Sequence, residues 1–222
     1  MHTLILGWSR GGLGYVKTLL ECLGSDVGTT FDLTTTKQNL EEKIKKAKSV
    51  EISSSVVPFI NEPCFYDVNK IFITRDPMRV INSLVFHGMF HINSPATAFL
   101  HDNVKNIVKN VDITYTTCSY VYSWWQFLYA EDLKIFRLED APITLLDNLK
   151  SCGMSLHYND KTLPYVPATV NSSYCKQLLR PSNLHADYQA KILTMLQKLQ
   201  YHERVWLPRG GHAHYVTPEW HS

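Results

Sequence analysis

No stretch of the 222-residue chain approaches the roughly 18 uninterrupted apolar residues of a membrane span, and the N-terminus lacks the charged region, apolar core and cleavage site of a secretory leader. The expectation is a protein outside the membrane, in the cytoplasm. Cysteine is sparse and oddly numbered: five residues, Cys22, Cys64, Cys118, Cys152 and Cys175, are scattered without a C-x-x-C pair, which excludes a disulfide framework and points to reduced, mostly buried thiols. Charge of one sign is missing too. The net charge is +2, and the one dense basic run, Lys43, Lys45, Lys46 and Lys48, interleaves with Glu41, Glu42 and Glu51, so it reads as a solvated helix face rather than a nucleic-acid surface. Internal repeats and low-complexity tracts are absent.

What is present begins at the N-terminus. An apolar strand, Thr3-Leu4-Ile5-Leu6, runs into Gly7-Trp8-Ser9-Arg10-Gly11-Gly12-Leu13-Gly14 and then into a helix. A glycine-rich turn between a strand and a helix N-terminus aims backbone N–H groups and the positive helix end at one point, an anion site. Gly7 and Gly12 match the two glycines of G-x-x-x-x-G-K-[ST], but Leu13 and Gly14 stand where its Lys and its magnesium-holding Ser/Thr belong. Ordinary ATP or GTP chemistry then loses its cation and its metal anchor, and the cation available is Arg10. The same glycines would also serve a tight turn with no ligand.

A second block repeats the pattern. Lys70-Ile71-Phe72-Ile73-Thr74 is strand-like, Asp76 is placed as a helix N-cap, Pro77 suits the first helical position, and Ser83 follows two turns into the helix. Arg75 thus falls at the carboxyl end of a strand, where open parallel sheets bind ligands.

These two blocks resemble the sulfotransferases that use 3′-phosphoadenosine 5′-phosphosulfate (PAPS). Arg10-Gly11-Gly12-Leu13-Gly14 is similar to the family's first loop, a basic residue followed by Ser-Gly-Thr-Thr; Arg75-Asp76-Pro77 with Ser83 is similar to its Arg-x-Pro motif with a Ser eight residues after the Arg. Ile135-Phe136-Arg137-Leu138-Glu139-Asp140 is similar to its late strand ending in Arg-x-Glu-Asp. The resemblance implies that Ser9, Arg10, Gly11, Gly12, Leu13, Gly14 and Tyr15 hold the 5′-phosphosulfate, and that Arg75 and Ser83 hold the 3′-phosphate. PAPS is then the sulfuryl donor, Arg10 the fixed cation that stabilises the negative charge building on the leaving 5′-phosphate oxygen, adenosine 3′,5′-bisphosphate the product, and a small molecule or glycan the acceptor. Arg209, in the tail segment Arg209-Gly210-Gly211-His212, is similar to a basic loop over the 3′-phosphate in some members.

Two departures bear on mechanism. Gly11, Leu13 and Gly14 offer only backbone N–H groups where the family places hydroxyls, and Thr29-Thr30 stands where some bacterial members carry His-Glu. The base that takes the acceptor proton must then come from elsewhere. By position the candidates are Glu51, on an expected second strand, and His87, four residues beyond Ser83. Glu51 reads equally as an ion-pair partner of the preceding lysines. His87 and His91 have helical metal-ligand spacing, but Gly88 interrupts the helix and no third ligand stands out, so no metal is assigned.

Strand and helix signals alternate along the chain, the pattern of a three-layer α/β fold with a mostly parallel sheet flanked by helices, P-loop-NTPase-like, in one domain over residues 1–222. Helices are expected near Gly12–Leu23, Lys37–Lys48, Tyr115–Tyr129 and Leu184–Leu199, with strands at Ser49–Ser53 and Leu133–Leu138. Asn159 to Arg180 reads as a long loop. Trp124 and Trp125, adjacent on a helix, are not both expected to face the core. Phe86, Phe90, Tyr158 and Tyr165 would suit stacking on an acceptor ring or packing in the core. Two other functions fit the same motifs: a nucleotide-binding module without turnover, and a degenerate P-loop nucleotide or small-molecule kinase.

Overall fold

Thr3-Leu4-Ile5-Leu6 forms strand β1 (Thr3–Leu6) at the centre of a five-stranded sheet, and every one of its residues is buried. In this computed structural model, which describes residues 1–104, 107, 112–130, 133–140, 142–158 and 179–201, the other strands are β2 (Val27–Gly28), β3 (Val50–Ser53), β4 (Asn69–Thr74) and β5 (Lys134–Arg137). Their order is β2-β3-β1-β4-β5 and all neighbours run parallel, with Leu4 opposite Glu51 of β3 and Lys70 of β4. A strand covered on both faces reads as a continuous apolar run rather than an alternating one, as β1 does.

Alternation shows instead in which layer each side chain joins. Ile5, Ile71 and Ile73 pack against helix α1 (Leu13–Cys22) and helix α6 (Pro142–Ser151), through Val16, Leu19, Leu20, Leu145 and Leu149. Leu4, Leu6 and Phe72 point the other way, into a larger core with α3 (Pro77–Phe86), α4 (Pro95–Asn103), α5 (Ile113–Ala130) and α7 (Ala186–Lys198). The remaining helix, α2 (Leu40–Lys46), contributes Leu40 to that core and follows a 3₁₀ turn at Lys37–Asn39. The result is a helix–sheet–helix sandwich with an all-parallel sheet.

Three findings differ from the sequence reading. The strand containing Glu51 is third rather than second, because the two-residue β2 precedes it at the sheet edge. Helix α4 had no strong periodic signal; Ser94 starts it by accepting from the Thr97 N–H at 3.1 Å. Trp124 and Trp125 are both buried, at 1% and 6% exposure. Helix α5 is covered on two sides: Trp124 donates its indole N–H to the Ser54 carbonyl at 2.7 Å, whereas Trp125 packs on Tyr122 and Tyr129 beneath Lys198 of α7.

Cys22, Cys64, Cys118 and Cys152 are free thiols, with Cys22 exposed. Cys175, Tyr165, Arg209 and residues 159–178 of the expected long loop lie outside the described residues. Among the described residues no helix is long and apolar enough to cross a membrane.

Candidate functional site

The carboxyl ends of β1, β3, β4 and β5 share one edge of the sheet, and the chain leaves β1 there through Gly7 to Gly12. Two anchors fix this loop. Trp8 is fully buried, donates its indole N–H to the Val121 carbonyl of α5 at 2.9 Å, and sits edge-on to Phe72 with ring centroids 5.2 Å apart. The Ser9 N–H donates to the Tyr120 hydroxyl at 2.8 Å, and the Ser9 and Ser54 hydroxyls are 2.8 Å apart. Burial pushes the Tyr120 phenol up to about 12, so it stays a neutral partner for that N–H.

The loop then turns through two left-handed residues, Arg10 at φ 62° and Gly12 at φ 91°. A Cβ at Gly12 would overlap Cδ2 of Leu138, whose side chain would have to shift, and the left-handed backbone there favours glycine. Of the N–H groups that a glycine loop can aim at an anion, that of Gly11 is spent on the Trp8 carbonyl at 2.9 Å and that of Ser9 on Tyr120. Those of Gly12, Leu13 and Gly14, at the start of α1, have no acceptor among the described residues. The anion-facing part of the loop is therefore its last three residues, at the positive end of a helix.

The second block converges on the same place. Asp76 caps α3, accepting from the Met78 N–H at 2.9 Å, and Pro77 begins the helix. Burial raises the pKa of the Asp76 carboxyl against that N–H bond, and Glu139 raises it further. Glu139 braces the turn from β5's side: it accepts from the Asp76 N–H at 2.9 Å and from the Tyr201 hydroxyl at 2.7 Å. Asp140 pairs with Arg137 at 2.9 Å. Arg75, emerging between these supports, donates to the Arg10 carbonyl at 3.2 Å, tying the two loops together.

The Arg10 side chain does not lie back over its own loop. Its Nε donates to Ser83 Oγ at 3.2 Å and its Nη2 is 2.8 Å from His87 Nε2, so Arg10, Arg75 and Ser83 form one cluster with His87 at its outer end. Beside it opens a cleft of about 290 Å³, lined by residues 8–10 and 12–15 of the loop and the start of α1, together with Lys17, Thr29, Phe31, Ser54 and Arg75 among others. Hydroxyls line the cleft all the same: Ser9 from the loop itself, and Thr29, Ser53 and Ser54 from neighbouring segments. Lys17 and Ser54 carried no local sequence signal, since α1 and the segment after β3 meet at the cleft only after folding.

Glu51 is the expected site residue that lies apart from the cleft lining. Its side chain is fully buried below the cleft, accepting from the Thr30 N–H at 2.8 Å, the Thr30 hydroxyl at 2.9 Å and the Lys48 N–H at 2.8 Å. It lies against Gly28 so closely that a Cβ there would overlap the carboxylate. A base must reach a proton, and Glu51 is neither in the cleft lining nor paired with the lysine side chains; it staples β2 to β3. His87 is exposed and also stands outside that lining, at the α3 end of the cluster. Among the described residues no group of three or more His, Cys, Asp or Glu is placed to hold a metal ion. Compared with protein-family models, curated proteins and solved structures, the chain matches none.

Proposed function

We propose that this protein is a PAPS-dependent sulfotransferase of P-loop-like fold, moving a sulfuryl group to a hydroxyl or amine of a small molecule or glycan. The observation that carries the reading is the convergence of Arg10, Arg75 and Ser83 beside the open N–H groups of Gly12, Leu13 and Gly14, on one edge of a parallel sheet. Two cationic groups and a helix N-terminus lining one cleft suit a ligand with two anionic groups. In that arrangement the start of α1 binds the 5′-phosphosulfate, and Arg75 with Ser83 binds the 3′-phosphate.

Sulfuryl transfer asks the protein mainly for alignment and charge stabilisation. The acceptor oxygen or nitrogen forms a bond to sulfur as the bond from sulfur to the 5′-phosphate oxygen breaks, and the N–H groups of residues 12–14 stand where the departing negative charge collects. The absent Lys and Ser/Thr of a nucleotide kinase are no handicap, because the transferred group carries a single charge and needs no magnesium.

A second reading, a nucleotide-binding module without turnover, is favoured by one observation: among the described residues the cleft is lined by no carboxylate or histidine that would serve as base. Calorimetric titration without magnesium tests both. Adenosine 3′,5′-bisphosphate is expected to bind well ahead of ADP and ATP; equal affinities, or a preference for ATP with magnesium, would refute a 3′-phosphate site. Release of adenosine 3′,5′-bisphosphate from PAPS, with acceptors supplied, separates the enzyme from the module.

A further inference from the structure

His87 caps the C-terminus of α3, one turn beyond Ser83, with its backbone N–H on the Ser83 carbonyl at 3.2 Å. The Arg10 guanidinium occupies the gap that these two residues frame, with Ser83 Oγ at 3.2 Å from Nε and His87 Nε2 at 2.8 Å from Nη2. A guanidinium only donates. At that separation Nε2 must therefore be the acceptor, which makes the imidazole neutral and places its proton on Nδ1.

A phosphate oxygen is also only an acceptor. To bind one through Nε2, His87 has to become a donor there, and a ring with hydrogen on both nitrogens is a cation. Among the described residues the group in contact with the ring opposes that charge in the ligand-free protein: it is the Arg10 guanidinium, from the first loop. Phe86 offers an uncharged ring edge-on at 5.2 Å, and His91, beyond Gly88, uses its Nδ1 to accept from the Asn93 N–H at 3.3 Å.

We propose that His87 is a further ligand of the 3′-phosphate site, and that it takes up a proton from solvent when that phosphate binds. The identity of the anion rests on the proposed function; the proton uptake rests on the Arg10–His87 contact. Desolvation, with the Arg10 charge beside it, holds the free imidazole below its ordinary pKa, and a bound phosphate dianion would lift it. A group whose pKa is raised by binding adds affinity that is complete below the free-protein pKa. That affinity then falls by up to about tenfold per pH unit, until pH passes the bound-state value.

The test is calorimetry of adenosine 3′,5′-bisphosphate on the full chain at about pH 7.5, above the second phosphate pKa of about 6, in buffers of differing ionisation enthalpy. The wild type is expected to take up a large fraction of one proton per ligand, and His87→Gln to take up less and bind about tenfold more weakly at acid pH, converging with the wild type at alkaline pH. AMP, without a 3′-phosphate, is expected to show no difference between the two proteins. Selective binding of the bisphosphate with equal proton uptake in both proteins would overturn the inference and leave the sulfotransferase reading standing; no preference over ADP would overturn both. Should His87→Gln not fold, the wild-type imidazole followed by NMR decides the matter: its pKa must rise on addition of the bisphosphate.

Discussion

Replacing Glu51 by Gln separates a structural carboxylate from a catalytic one. Of its two oxygens, Oε2 accepts from the Thr30 N–H, and Oε1 accepts from both the Thr30 hydroxyl and the Lys48 N–H. An amide has one acceptor oxygen, so either orientation turns its NH₂ toward a backbone N–H. The Thr30 hydroxyl can rotate to accept, but a backbone N–H cannot. One hydrogen bond to a buried acceptor is lost and one donor is left facing another, worth about 2 kcal/mol. Glu51→Ala removes all three bonds from a side chain with no solvent exposure, yet Lys48 is exposed and water can satisfy its N–H, so the cost is about 3 to 4 kcal/mol. Equilibrium urea unfolding followed by the fluorescence of the buried Trp8, Trp124 and Trp125 reads these changes. With a slope of about 2 kcal/mol per molar urea, the Gln variant should unfold about 1 M earlier and the Ala variant earlier still. A Gln variant with the wild-type midpoint and no turnover of PAPS would refute the staple and restore Glu51 as the base.

The turn at Gly12 is open to the same assay: Gly12→Ala is expected to cost about 2 kcal/mol or more, from its left-handed conformation and its overlap with Leu138, and to weaken bisphosphate binding. Gly24→Ala is the comparison, since Gly24 has φ 83° but nothing within 4 Å of the added Cβ, and about 1 kcal/mol is expected; equal costs would remove Leu138 from the argument. Burial works to raise the Asp32 carboxyl, but hydrogen bonds from Thr34 and Lys43 outweigh it and pull the pKa down to about 2 from 3.8. A depressed carboxylate adds stability above its unfolded pKa that disappears as pH falls through the folded value, so Asp32→Asn should flatten the acid loss of stability between about pH 4 and 2. An unchanged slope in that window would show the Lys43 contact to be idle. Burial pushes the Cys118 thiol up to about 12, so native-state alkylation should label the exposed Cys22 and spare Cys118; mass spectrometry showing both labelled at one rate would contradict the buried position.

Much of the fold was legible because its signals are local. The strand–glycine–helix sequence at Thr3–Leu20, the Asp76 cap with Pro77 at the start of α3, and the strand Lys134–Arg137 before a leucine-spaced helix each depend on residues within a few positions of one another. Helix α4 was not, as its nine residues form a weakly amphipathic segment held mainly by a Ser94 cap and by the core it enters. Within the site, the local pattern located Arg10 and Arg75 beyond the carboxyl ends of β1 and β4 and Ser83 within α3, since each position depends only on nearby residues. It did not show that the Trp8 side chain anchors the loop to a helix 113 residues later, nor that Tyr120 reaches the Ser9 N–H.

The sequence by itself determined the parallel α/β layering and the two loops that present basic residues at one sheet edge, because apolar period, caps and glycine turns act over one or two helical turns. Only the tertiary structure decided what those residues do once there. Strand order placed the Glu51 carboxylate against Gly28 and Thr30 rather than in the cleft lining. Packing α5 between two layers buried both tryptophans, and the meeting of β1's loop with α3 turned Arg10 toward Ser83 and His87. Each of these outcomes depends on contacts between residues tens of positions apart, whose energies exist only after the intervening chain has folded.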